Sequence, residues 1–311
     1  MSLWLVGSGL HACEYAKVLS ALDQSFEVIG RGSESAMTFE AATNHSVFSG
    51  GIEKALLVKP PPEIAIISVS FENLAEVAIS LMAAGTKHIL LEKPGGLTSK
   101  ELRSVVTAAN DSNANVWVAY NRRFYASTMT ARDIIQEDGG PVGCAFEFTE
   151  WSHVIAPSSI SAKAKASWLI ANSSHVIDLA FHLCGWPQDW KGWHSGSLDW
   201  HPASSRFSGA GLTDKKALFS YHAFWDAPGR WSLEVLTRKR RLLLKPLEQL
   251  QVIHLGSVLI ESTKVDDEFD RQFKPGLYLE TKAFLEGDQT LFCTIQDQLK
   301  HCVIYDEMAG Y

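Results

Sequence analysis

Three groups of residues in this chain have types and spacings suited to chemistry. Gly7-Ser8-Gly9-Leu10-His11-Ala12 is a GxGxxA string between an apolar run and a helical pattern. In that setting Gly7 makes a tight turn, Gly9 lets a pyrophosphate approach the backbone, and Ala12 permits close helix packing. The amides opening that helix, at Leu10, His11 and Ala12, present donors and a positive dipole end to phosphate. Lys93 follows the fifth apolar run in Leu91-Glu92-Lys93-Pro94-Gly95, and so emerges at the carboxyl edge of a sheet, where open α/β folds bind ligands. His175, Asp178 and His182 lie at i, i+3 and i+7 and share one side of a helix. That separation is awkward for a single ion, so no metal site is expected.

The second apolar run ends in Ile29-Gly30-Arg31-Gly32-Ser33, where NAD-preferring domains usually place an acid for the ribose hydroxyls. Arg31 can pair with a 2′-phosphate and Ser33 can add a hydrogen bond, which favours NADP; Glu34 reaching the ribose of NAD is the alternative.

The elements that must position these groups follow from periodicity. Up to about residue 120, short apolar runs (Leu3 to Val6, Phe26 to Ile29, Ser46 to Phe48, Ile64 to Val69, His88 to Leu91, Val116 to Tyr120) alternate with helical patterns near 10–22, 72–84 and 99–110. This is the signature of βαβ units feeding a parallel, doubly wound sheet. Thr98 or Ser99 is the expected cap of the last helix. After a helix over 126–137 and the Gly139-Gly140-Pro141 turn, runs such as Cys144 to Glu150, Ala217 to Trp225, Trp231 to Thr237 and Arg241 to Leu244 read as antiparallel strands, with helices at 174–184 and 276–286. The reading is an N-terminal dinucleotide-binding domain, residues 1–121, and an α+β domain, residues 122–311, with a large, mainly antiparallel open sheet.

With 311 residues and 46% hydrophobic content, two cores are affordable and disorder is excluded. The formal charge of −7 is spread evenly, 8 Lys+Arg against 12 Asp+Glu up to residue 120 and 20 against 23 beyond, so neither half offers the basic face that nucleic acid requires. The first residues lack a cationic n-region and a long apolar run, so a cytoplasmic protein without a membrane span is expected. Five scattered cysteines without CxxC spacing read as reduced, buried side chains.

The GxGxxA start, the Glu92-Lys93-Pro94 motif and Asn121-Arg122-Arg123 after the sixth strand together resemble the glucose-fructose oxidoreductase and inositol dehydrogenase (Gfo/Idh/MocA) family. Ser173-Ser174-His175-Val176-Ile177-Asp178-Leu179 is similar to that family's Gly-x-His-x-x-Asp helix, and Gly276 to Gly287 to its late helix. The resemblance implies a Rossmann domain, an NAD(P) cofactor and a sugar-like substrate, with hydride exchanged at a sugar, nucleotide-sugar or cyclitol carbon. It implies that Lys93 is the acid/base or polarising residue and that Pro94 fixes the strand exit. His175 would face nicotinamide and substrate, Asp178 would line the site wall, and Asn121 and Arg122, with Glu92, would hold the nicotinamide side.

Family members acting on alcohols commonly carry an aspartate four residues before this histidine; here the position is Ala171, with Asn172 next to it. Lys93 would then work with His175 alone while Asn172 binds substrate. Lys165 and Trp168, with Lys163, are further substrate candidates, two ammonium groups suiting a carboxylate or diphosphate. Eight of the ten tryptophans fall between Trp151 and Trp231, which suits core packing, a homodimer or homotetramer interface on the second sheet, or sugar C–H faces. Two other readings remain open: a dinucleotide-binding scaffold without turnover, and an imine or carbonyl reductase on a non-sugar substrate.

Overall fold

The computed structural model describes residues 2–311, which form two compact units. The first holds the chain up to Asn121 together with Phe269–Cys302; the second holds Arg122–Glu268 and Val303–Tyr311.

The first unit alternates β1 (Leu3–Val6), α1 (Leu10–Ala21), β2 (Glu27–Gly30), α2 (Ser33–Thr43), β3 (Val47–Ser49), α3 (Gly51–Val58), β4 (Ile64–Ile67), α4 (Leu74–Ala84), β5 (His88–Glu92), α5 (Ser99–Ser112) and β6 (Asn115–Ala119). All six strands pair in parallel, in the order β6-β5-β4-β1-β2-β3. Helices cover both faces, so β1 and β4 are buried at every position, which explains their uninterrupted apolar sequence. The order reverses between β1 and β4, and that switch point is where loops at the strand ends open a crevice. Thr98 caps α5, its hydroxyl accepting from Glu101 N while Glu101 accepts from Leu97 N. Helices α2 and α3, each bearing few apolar residues on its buried side, are absent from the periodicity reading.

The second unit begins with α6 (Ala126–Glu137) and β7 (Gly143–Glu147), then the short α7 (Ser152–Ile155) and α8 (Ala162–Ala166). A π-helical turn, Leu169–Ser173, leads into α9 (Ser174–Cys184). Seven further strands follow: β8 (Pro187–Ser195), β9 (Arg206–Thr213), β10 (Leu218–Phe224), β11 (Ser232–Leu236), β12 (Arg240–Leu244), β13 (Gln251–His254) and β14 (Glu261–Ser262). They assemble as β14-β13-β12-β11-β7-β10-β9-β8. The sheet is mainly antiparallel, as expected, with one parallel pair, β7 and β10, because the chain leaves β7 for the helices and two other strands before β10 lies beside it. Burial alternates along β10 and β11, with Phe219, Tyr221, Leu233 and Val235 turned inward. Phe181 of α9 packs edge-on against Phe146 at 5.4 Å and Phe219 at 5.2 Å, fixing that helix on the inner face. The other face leaves Trp193, Leu218 and Phe224 exposed.

The chain then runs through α10 (Glu268–Gln272), α11 (Leu277–Glu286), β15 (Cys293–Thr294) and α12 (Ile295–Ala309). Strand β15 adds to the first sheet, antiparallel to β6, and α11 packs on α1. Among the described residues no helix is long and apolar enough to cross a membrane.

Candidate active site

The glycine turn has two different jobs. Gly7 has φ +124°, and a Cβ there would collide with the Ser68 carbonyl oxygen of the neighbouring strand exit, so the backbone itself demands glycine. At Gly9 the conformation is ordinary, and a Cβ would meet nothing within 4 Å. The space above Gly9 is therefore open, and the first helical bond runs from Cys13 N to Gly9 O at 3.1 Å, which leaves the amides of Leu10, His11 and Ala12 ahead of the intrahelical ladder. An open glycine surface at a helix N-terminus fits a pyrophosphate. Ala12 is fully buried, as close helix packing requires.

At the end of β2, Arg31, Ser33 and Glu34 are all exposed, and Arg31 forms no ion pair among the described residues. The serine that contacts the glycine turn is Ser35, whose hydroxyl lies 3.0 Å from Ser8 Oγ.

Lys93 leaves β5 with only 8% exposure, and its ammonium lies 5.0 Å from the centre of the Phe71 ring. The Lys93-Pro94 peptide is cis, and the Pro94 carbonyl accepts from Gln298 Nε2 at 3.0 Å. Glu92 points into a hydrogen-bonded network. Its Oε1 meets His11 Nε2 at 2.6 Å and accepts the Tyr15 hydroxyl at 2.7 Å. Burial opposes its ionisation, but His11, Tyr15 and Lys93 outweigh that and hold the carboxyl down at about 2. Burial, followed by Glu92 and Glu280, drives the Tyr15 phenol well up, so it stays a donor. His11 meets Lys274 Nζ through Nδ1 at 3.1 Å. Since an ammonium only donates, Nδ1 is the acceptor and Nε2 carries the hydrogen given to Glu92. The side chains of Glu92 and His11, two residues expected at the cofactor, tie α1 to β5 and to the late segment around Lys274. Asn121, expected at the nicotinamide side, donates from Nδ2 to Pro275 O at 2.9 Å and is buried.

In the second unit, the π-helical turn and the first turn of α9 gather Asn172, Ser173 and His175. One extra residue in a helical turn shifts side-chain direction, and such bulges recur at functional sites. His175 is buried, its ring 6.1 Å from that of Trp231. Asp178, expected at the site wall and among the substrate ligands, is 1% exposed and held by Arg123, with Nε–Oδ2 at 2.8 Å and Nη2–Oδ1 at 2.6 Å. Both carboxylate oxygens of Asp178 accept from that fork. Burial still pushes its pKa up against Arg123. Further along the helix, burial and then the Arg123 charge press His182 well below its ordinary value, so it sits neutral. Lys165 gives two hydrogen bonds to backbone, to Ala156 O and Ser158 O, each at 2.8 Å. These bonds hold the ammonium, expected at the substrate, on the loop after α7. Asn172 donates to Glu150 Oε1 at 3.0 Å, and Trp168 is buried beside Trp200. Arg122 lies over the Trp231 ring at 4.8 Å.

Sequence reasoning missed Tyr15, Phe71, Arg123 and Glu150. The first two carry no motif; Arg123 and Asp178 are separated by 55 residues; Glu150 ends an apolar run and there reads as a strand terminus.

Comparison with known proteins agrees with this arrangement. Residues 1–120 match the GFO_IDH_MocA model, described as an oxidoreductase family with an NAD-binding Rossmann fold. Over 137 residues the chain is 30% identical to levoglucosan dehydrogenase of Pseudarthrobacter phenanthrenivorans, covering 40% of this chain and 34% of that protein. Over 143 residues it is 28% identical to mouse trans-1,2-dihydrobenzene-1,2-diol dehydrogenase, covering 45% and 42%. The matched stretches thus span about a third to two fifths of these relatives. A solved levoglucosan dehydrogenase in complex with NADH shares the fold along 100% of this chain and 96% of its own, with a TM-score of 0.80 at 17% identity. The matched residues hold both the glycine turn and the Glu92-Lys93-Pro94 strand end, so the first 120 residues of the chain are similar to the NAD-binding Rossmann part of that oxidoreductase family.

Proposed function

We propose that this protein is an NAD(P)-dependent dehydrogenase or reductase acting on a hydroxyl or carbonyl carbon of a small sugar-like substrate. The observation that carries the reading is the pairing, in one unit, of an open glycine surface at the helix N-terminus after β1 with a nearly buried lysine at the end of β5, which only β4 separates from β1 in the sheet. The levoglucosan and dihydrodiol dehydrogenases it is similar to act on polyhydroxylated or diol substrates by name, which supports the substrate class.

In this reading Gly7, Gly9 and the amides of Leu10, His11 and Ala12 hold the pyrophosphate. The bound nicotinamide supplies hydride chemistry that no side chain can. Lys93 takes the substrate hydroxyl proton or returns it to a carbonyl oxygen, and the Phe71 ring limits where its ammonium can go. Glu92, fixed by His11 and Tyr15, sets the end of β5 from which Lys93 projects. His175 hydrogen-bonds the substrate, and Asn121 and Arg122 support the nicotinamide end. Arg31, exposed and without an ion pair, favours NADP over NAD by meeting the 2′-phosphate, with Ser33 at the α2 N-terminus as second donor. The exposed apolar residues of the second sheet, among them Trp193, Leu218 and Phe224, serve a homo-oligomer contact.

The test is a screen of sugars, cyclitols and diols with NADP+ and NAD+, following absorbance of the reduced nicotinamide. Reduction with at least one polyol, and with NADP+ preferred, is the expected result. Tight cofactor binding with no reduction across the screen, in either direction, would replace this reading with that of a non-catalytic dinucleotide-binding protein.

A further inference from the structure

Glu150, beyond the end of β7, is an acid buried to 3% exposure with half its acceptor capacity in use. Oε1 accepts from Asn172 Nδ2 at 3.0 Å and from the Ser173 hydroxyl at 2.7 Å. Oε2 accepts no hydrogen bond among the described residues. Burial pushes the carboxyl up, while Ser173, Asn172, Arg230 and Trp168 pull the other way. A carboxyl held in this way costs stability unless a ligand or solvent uses the open oxygen.

The indole N–H groups of Trp168 and Trp231 are buried in the same unit; that of Trp231 makes no hydrogen bond among the described residues, and that of Trp168 is directed at the Glu150 carboxyl. Trp168 is near enough to act on Glu150, and Trp231 carries Arg122 and Arg230 over its ring at 4.8 Å each. Arg230 is exposed at the surface but held between two indoles, 4.6 Å from the Trp151 ring centre and 4.8 Å from that of Trp231. Stacking uses the faces of a guanidinium and leaves its N–H edge for recognition. Arg230 spends none of that edge on an ion pair or side-chain hydrogen bond among the described residues.

A carboxylate with acceptor capacity to spare, the unused Trp231 indole donor and a stacked guanidinium edge form a mixed acceptor and donor set lined by flat apolar rings, with Trp168 orienting the carboxylate. A purely anionic ligand would meet Glu150, and an apolar one would leave every polar group unsatisfied. A polyhydroxylated carbon frame satisfies both kinds, since each hydroxyl gives and takes one hydrogen bond while C–H faces rest on indole. We propose that Glu150, Trp168, Trp231 and Arg230 form the hydroxyl-recognition subsite for a neutral polyol, with Glu150 Oε2 accepting from a substrate hydroxyl. This rests on the sugar-like reading of the substrate, and adds residues outside every motif named above.

The experiment measures binding of levoglucosan, glucose and myo-inositol to the wild-type protein saturated with reduced cofactor, by calorimetry and saturation-transfer NMR. The same measurement is made on Glu150→Gln, Trp168→Phe and Arg230→Met. Glutamine keeps an oxygen for Asn172 and Ser173 but turns the open acceptor into a donor, and Arg230 is a surface residue whose loss should not unfold the protein. At least one polyol should bind the wild type, with affinity weakened about tenfold or more in Glu150→Gln and by several-fold in the other two, as expected for losing one buried hydrogen bond each. Cofactor affinity should stay unchanged. Wild-type polyol affinity in Glu150→Gln and Arg230→Met, or failure of all three polyols to bind the wild type, overturns the assignment. A polyol that binds through these residues yet supports no cofactor reduction upholds the subsite and overturns the oxidoreductase reading instead.

Discussion

The Tyr15 hydroxyl donates to Glu92 Oε1 at 2.7 Å, joining the helix that follows the glycine turn to the residue immediately before Lys93. The phosphate-binding turn and the proton-transfer residue of the proposed mechanism are therefore set by one buried network, extended by His11, Lys274 and Glu280.

Removing the Tyr15 hydroxyl should weaken that network without opening the site. Tyr15→Phe is expected to lose about 1.5–3 kcal/mol of stability, the usual worth of a hydrogen bond to a charged group. Glu92 ionises at about 2, below its ordinary 4.5, so its stabilisation is complete above the unfolded value and is lost as pH falls toward 2. The variant should accordingly unfold at a less acidic pH than the wild type. Circular dichroism during acid titration and urea unfolding checks both statements; identical acid midpoints would remove Tyr15 from the network.

Gly7 and Gly9 should separate fold from binding. Gly7→Ala places a methyl against the Ser68 carbonyl in a left-handed backbone, so roughly 1–3 kcal/mol of strain is expected before any clash is counted. Gly9→Val meets no protein atom with its Cβ, so its melting temperature should stay close to wild type while NAD(P)H affinity collapses. Fluorescence titration of the reduced cofactor beside thermal unfolding tells the two apart, and normal NAD(P)H affinity in Gly9→Val would contradict the cofactor assignment.

Arg123 and Asp178 hold each other with side-chain exposures of 6% and 1%. Breaking a buried pair leaves one charge without compensation, at a cost of about 3–5 kcal/mol. Arg123→Met should therefore unfold far more readily than wild type, and Arg123→Met with Asp178→Leu should recover much of the loss. Urea unfolding of the single and double variants measures this; a double variant no better than the single one would show that the fork is not the relevant contact.

How much of this was legible beforehand divides along chain distance. The six parallel strands and α1, α6 and α9 declare themselves through local periodicity, and Lys93 through its place at a strand end. Local signals are silent where the chain closes long loops. Strand β15 has two residues and joins the first sheet from nearly 180 positions downstream of β6. Strand β7 lies parallel to β10 only because α7 to α9 and two strands intervene. Asp178 reads as a site residue on its motif, whereas its partner Arg123 can be found only in three dimensions. Glu150 is the clearest case, since its character comes wholly from Asn172, Ser173 and burial, none of which adjoins it in sequence.

Arg31 decides cofactor preference in the proposed function. Arg31→Ala should weaken NADP(H) binding by about 1.5–3 kcal/mol, the loss of a charge-assisted hydrogen bond, and leave NAD(H) nearly unchanged. Parallel titrations with both reduced cofactors read this directly, and equal weakening would assign Arg31 to the turn alone.

The central claim is that Lys93 moves the proton that accompanies hydride exchange. Methionine keeps the length and apolar stem of lysine and removes the ammonium, so Lys93→Met should fold normally and bind NAD(P)H with wild-type affinity. The measurement is single-turnover hydride transfer with a polyol that the wild type oxidises, in Lys93→Met and wild type across a range of pH. A fall in rate of about 10²–10⁴-fold with loss of the lysine limb of the pH profile is the predicted result, and a wild-type rate and profile in Lys93→Met would contradict the account.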